Sequence, residues 1–136
     1  MLVHVALHGV LQRRVAADDR PLAALDGVQL LELRFSPGFM AEPAGLDWDE
    51  MMGRVQAGVA RASAQHDIAV GLIAIVSRSL GPASARDTVA FAVNWRDELV
   101  GFDLADAEEA YPAEDFAAEM GPLFAMDMPI TVHSGE

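Results

Sequence analysis

The segment Ile130-Thr-Val-His133-Ser-Gly-Glu136 sets an imidazole and a carboxylate just behind a short apolar run. Such a run reads as a buried strand whose C-terminal end delivers both groups to one place. A neutral imidazole is the commonest metal ligand among side chains, and a carboxyl group near a metal is placed for proton transfer. Taken alone, His-x-x-Glu is a weak signal, because a lone histidine at a strand end is more often simply hydrogen-bonded. Other residues with chemical potential are spread along the chain. Asp103 sits between apolar neighbours in Val100-Gly-Phe-Asp-Leu-Ala105, and an isolated buried carboxylate is costly, so a partner is expected. Asp106 and Glu108 follow in the next loop. Glu32 and Arg34 are two apart in Val28–Phe35 and share one side of a strand. They read as an ion-paired layer inside a barrel or as part of a site, and the structural role is the one favoured. Arg78 follows the apolar run Ile68–Val76; in so acidic a chain it is expected to pair with a carboxylate. His4 and His8 would share a face of an amphipathic helix over residues 2–16, where they read as a partly exposed pair rather than metal ligands.

The elements that must position these groups follow from periodicity. Strands are expected over 28–35, 68–76, 99–105 and 130–133. Asp47-Trp-Asp-Glu50 has capping-box spacing, with Asp47 as N-cap of a helix running to about Gln65-His66-Asp67. A further helix is expected over 84–95 and another from Pro112 to about Asp127, with Pro112 in its first turn. Ser36–Leu46, with two prolines and two glycines, reads as a long loop at the C-terminal side of the first of these strands. Strands of this kind, each separated by one helix, imply βαβ units and a parallel sheet. The expected fold class is therefore α/β, a parallel half-barrel corresponding to a fragment of a TIM (β/α)8 barrel. In such barrels the C-terminal strand ends carry the chemistry. The 136 residues are read as a single partial domain, with an N-terminal helix and connection over 1–27 and four βα-type units over 28–136.

Composition narrows the function classes. Nine basic against 21 acidic residues give a formal net charge of −12. A chain so acidic repels phosphate backbones, which argues against a nucleic-acid partner, and it has no basic face for an anionic membrane. No apolar run approaches the ~20 residues that span a bilayer. The N-terminal apolar run has no cationic residues ahead of it and does not read as a signal peptide. There is no cysteine, so disulfides and thiolate zinc sites are excluded; this fits a reducing cytoplasm.

In order and spacing, four pieces resemble the adenosine deaminase family of zinc-dependent amidohydrolase-like barrels. They are Leu31-Glu-Leu-Arg-Phe-Ser-Pro37, Gly71-Leu-Ile with Arg78 behind the strand, Val100–Ala105 with Glu108, and Ile130–Glu136. The resemblance covers residues 28–136 well and the first 27 poorly. It implies that the chain corresponds to barrel strands two to five. It further implies that His133 matches the fifth-strand ligand of a Zn2+ cofactor, and that Glu136 matches the acid that protonates a purine ring nitrogen during hydrolytic deamination. Family members usually carry Gly where this chain has Asp106, close to the purine, so Asp106 is a candidate substrate-binding position. The family's first-strand His-x-His pair, sixth-strand His and eighth-strand Asp have no counterpart here, and His4 and His8 have the wrong spacing for that pair. The implied parent activity is deamination of adenosine or a related aminopurine, with the isolated chain inactive. The alternative reading is a non-catalytic half-barrel that self-associates, or binds a protein partner, through exposed sheet edges.

Overall fold

The computed structural model describes residues 2–7, through their backbone, and residues 27–135. Five strands form one sheet in sequential order: β1 (Leu2–Leu7), β2 (Leu30–Phe35), β3 (Ala69–Ser77), β4 (Gly101–Ala105) and β5 (Ile130–Val132). Every neighbouring pair is parallel. Between them lie α1 (Pro37–Ala41), α2 (Trp48–His66), α3 (Gly81–Asn94) and α4 (Gly121–Ala125). A sheet that never doubles back needs a crossover between successive strands, and from β2 onwards the helices supply it.

Period-two alternation divides the strands into two faces. Phe35, Leu72, Ala74, Val76, Phe102 and Leu104 pack into the main core with Met51 and Met52 of α2 and with Val89, Phe91 and Ala92 of α3. Two edge-to-face contacts fix both helices over β2. Phe91 meets Phe35 at 6.3 Å and Trp48 at 5.8 Å between ring centroids, a geometry that aligns ring edges with ring faces. The intervening strand residues, among them Arg34, Asp103 and Thr131, therefore occupy the other face, away from the helices.

The start of α2 is as its residues dictate. Asp47 Oδ1 accepts from the amides of Asp49 (2.9 Å) and Glu50 (3.1 Å), satisfying two donors that have no intrahelical partner. The Glu50 carboxylate turns to Arg54 one helical turn on, at 2.6 Å. Asp67, in left-handed geometry at φ 51°, ends the helix.

Three expectations are corrected. Residues 2–7 are a strand, in register with β2 from Leu2 opposite Leu30 to Leu7 opposite Phe35. The apolar spacing that suggested a helix is outweighed by the alternating β-branched Val3 and Val5 and by the unpaired edge that β2 offers. The remainder of the expected 2–16 helix, with His8, lies outside the described residues. The Ser36–Leu46 segment is not all loop: Pro37 opens the short helix α1, its fixed φ and missing N–H suiting a first turn. The single helix expected over 112–127 is instead a 3₁₀ turn at Ala113–Phe116 followed by the five-residue α4. Pro122 lacks the N–H that a continuous helix would need, so the helix restarts at Gly121-Pro122. No helix among the described residues is long and apolar enough to cross a membrane.

Candidate functional site

Asp103 is the centre of the site. It is fully buried, on the strand face turned away from the helices, directly opposite Thr131 in the β4–β5 register. Arg34 reaches it from β2 across the whole width of β3, a span of ~10 Å at ordinary strand spacing. The guanidinium Nη1 donates to Asp103 Oδ2. Thr131 Oγ1 donates to Asp103 Oδ1 at 2.8 Å and stands 3.3 Å from Arg34 Nη1. His133 Nδ1 lies 3.0 Å from Asp103 Oδ2. One buried carboxylate thus gathers a cation from β2, a hydroxyl from β5 and an imidazole from just behind β5. The partner expected for Asp103 is present, and Arg34 fills the barrel-layer role expected of it with Asp103.

His133 directly follows β5 and is about a third exposed. Its Nδ1 faces Asp103, and among the described residues nothing hydrogen-bonds Nε2. Metal-binding histidines commonly give their second ring N–H to a carboxylate, which fixes both ring orientation and tautomer. The donor chemistry at His133 fits one zinc ligand of that kind. Among the described residues, no group of three or more His, Asp or Glu is arranged to hold a metal ion. Glu136 lies outside the described residues.

The strand-end loops are stitched together around this point. Asp106, in the loop after β4, has φ 85°. Its Oδ2 accepts from Ser77 Oγ at 2.7 Å, from the Ser79 amide at 3.3 Å and from Ser79 Oγ. Partial burial pushes its carboxyl up, but the hydrogen bonds from Ser77, Ser79 and the Ala107 and Ser79 amides outweigh that and lower it to about 2. Glu108 Oε2 accepts the Gly135 amide at 2.6 Å, joining the same loop to the segment after β5. Arg78 does not pair with a carboxylate among the described residues, contrary to expectation. Fully buried, it donates through Nη1 to the Tyr111 carbonyl at 2.9 Å and through Nη2 to the His133 carbonyl at 2.5 Å. The carbonyls of Tyr111, in the loop after β4, and of His133, just behind β5, take its donors, while the acids are mostly on the surface. Among the described residues its Nε has no partner, and neither does that of Arg34.

Sequence reasoning missed Thr131, Ser77 and Ser79. Thr131 precedes His133 by two and so shares its strand face, a signal that period two supplies. The serines flank Arg78 at a strand end, where paired hydroxyls among many acids mark an acceptor to come.

A parallel βα series with its polar cluster at the strand C-termini is the arrangement of a (β/α) barrel, and solved structures agree on the fold. An amidohydrolase from Burkholderia ambifaria, solved with bound zinc, superposes with a TM-score of 0.78 at 24% identity, over 84% of this chain and 32% of that one. The adenine deaminase from Arthrobacter aurescens gives a TM-score of 0.75 at 20% identity, over 85% of this chain and 35% of that one. The fold is a fragment of a TIM barrel. The family model for adenosine deaminase matches residues 9–136, and the chain belongs to that family. The adenosine deaminase of Erwinia tasmaniensis is 36% identical over 124 residues, which are 91% of this chain and 37% of that enzyme. The N6-methyl-AMP deaminase of Arabidopsis thaliana is 28% identical, with a TM-score of 0.70 over 82% of this chain and 35% of that one. The chain thus spans little more than a third of the length of the relatives it matches.

Proposed function

We propose that these residues form part of a zinc-dependent aminohydrolase that removes the amine of adenosine, or of a related aminopurine, as ammonia. The observation that carries this reading is the His133 imidazole backed by the buried Asp103 carboxylate at 3.0 Å, with Nε2 unpartnered among the described residues. His133 would hold the metal through Nε2, and Asp103 would fix the tautomer that leaves Nε2 with its lone pair. Zinc, when bound, makes a nucleophile available from water at neutral pH. Glu136 would give a proton to the purine ring nitrogen as water adds to the carbon bearing the amine. The loop at Asp106 would line the purine. Names in the comparisons support the aminopurine class: adenosine deaminase among the sequence relatives, and adenine and N6-methyl-AMP deaminases among the structures. The lack of cysteine in the sequence supports a cytoplasmic location.

The test is a chimera in which residues 28–136 replace the matching segment of the Erwinia tasmaniensis enzyme. The chimera should convert adenosine to inosine, lose turnover to a chelator, and lose it again in His133→Ala and Glu136→Gln. A folded, zinc-loaded chimera without turnover would overturn the reading.

A further inference from the structure

Asp106 carries a conformation that side chains avoid. Its φ of 85° is left-handed, a region tolerated by Asp and Asn better than by other side chains but still sparsely populated. Such a backbone persists where its surroundings hold it. Here the holding groups are named: Ser77 Oγ, Ser79 Oγ and the Ser79 amide all donate to Oδ2, while the Ala107 amide donates to Oδ1 at 2.8 Å. The carboxylate is turned towards the end of β3. In the sheet order β3-β4-β5, that is the side of β4 away from His133.

Two residues on, the same loop makes its other tie. Glu108 Oε2 takes the Gly135 amide at 2.6 Å, on the β5 side. The loop is therefore anchored at both ends of a three-residue span, to β3 through Asp106 and to the segment after β5 through Glu108. Between the anchors, buried Arg78 holds the Tyr111 and His133 carbonyls.

We propose that Asp106 is a positioning residue: by tying the loop after β4 to Ser77 and Ser79, it holds Glu108 against the Gly135 amide and so sets the backbone that leads into Glu136. This deepens the deaminase reading and rests on it for the role of Glu136, but not for the geometry. The carboxylate is suited to the task because one oxygen gathers three donors while the other takes the next amide in the loop. A neutral amide would turn an N–H towards one of these two donor sets.

The experiment is amide hydrogen exchange followed by NMR on the protein and three variants. Asp106→Gly accepts the left-handed backbone without strain and removes only the tie. Ser77→Ala/Ser79→Ala leaves Asp106 in place and removes the hydroxyl donors. Glu108→Ala calibrates the loss of the Gly135 contact itself. The proposal expects the Gly135 amide to exchange about 10-fold faster in both tie variants, approaching Glu108→Ala, while Val76 and Leu104 in the core keep their protection. A purely local role for Asp106 would quicken only Ser79 and Ala107. Gly135 protection within about two-fold of the parent in the serine variant would overturn the proposal; if Asp106→Gly loses core protection as well, the serine variant decides. Exchange is read without zinc or substrate, so failure here leaves the deaminase reading standing, and a failed chimera leaves this result intact.

Discussion

Removing the Asp103 carboxylate should be the most damaging single polar change in the chain. Asp103→Ala leaves the Arg34 guanidinium, only 12% exposed, without its counter-ion. It also strips Thr131 Oγ1 and His133 Nδ1 of their acceptor. Breaking a buried pair from one side costs about 3–5 kcal/mol, because an uncompensated charge stays behind. Arg34 Nε is already buried without a partner among the described residues, which leaves the cation little reserve. The face away from the helices is open at Thr131, so water can reach part of the site, and the low end, about 3 kcal/mol, is expected. Equilibrium urea unfolding would measure it, with Trp48 and Trp95 beside the core as fluorescence probes. The double variant Arg34→Met/Asp103→Leu should recover most of the loss, since an apolar pair of similar volume has neither charge to desolvate. A loss under about 1 kcal/mol for Asp103→Ala would refute the reasoning, as would a double variant less stable than the single one.

Asp106 predicts an acid-sensitive contribution. Its folded value, about 2, lies below the ordinary 3.8, so the stabilisation is present above pH 4 and is lost as pH falls from about 4 towards 2. The group is partly exposed, so solvent screening limits the effect to about 1 kcal/mol or less. Unfolding curves of the parent and Asp106→Asn should converge in that window, and parallel curves from pH 5 to 2 would contradict it. Gly71→Ala should destabilise by about 1 kcal/mol, since a Cβ there would stand 2.7 Å from Val100 Cγ2. Val100 is half exposed and has room to give, so Val100→Ala in the same chain should remove most of that cost in thermal melts; an unchanged cost would count against the contact.

Legibility in the sequence followed how local each determinant is. β3 was readable because a strand buried on both faces is continuously apolar, and α2 because Asp47 announces its start. The need of Asp103 for a partner was readable from its apolar neighbours. The identity of that partner was not, since Arg34 is 69 residues away and meets it only because β2, β3 and β4 lie side by side. Arg78 illustrates the same limit. Composition favoured a carboxylate, whereas the parallel strand ends offered carbonyls first. The 112–127 helix failed on a local signal that was present, Gly121-Pro122. The β1 strand failed because its apolar residues suit either period, and pairing with β2 settles which. At the site, His133 was placed by its motif, while the Ser77–Asp106–Ser79 tie depends on a left-handed turn that no spacing reveals.

The central proposal is that His133, oriented by Asp103, supplies one imidazole ligand to a zinc site, with no group of ligands arranged to hold the metal among the described residues. A catalytic zinc needs about three protein ligands and an open position. The direct measurement is a calorimetric zinc titration of the 136-residue protein, with adenosine turnover followed in the same samples. The account predicts no tight zinc binding and no loss of adenosine. Tight binding with turnover, both abolished by a chelator and by His133→Ala, would contradict it.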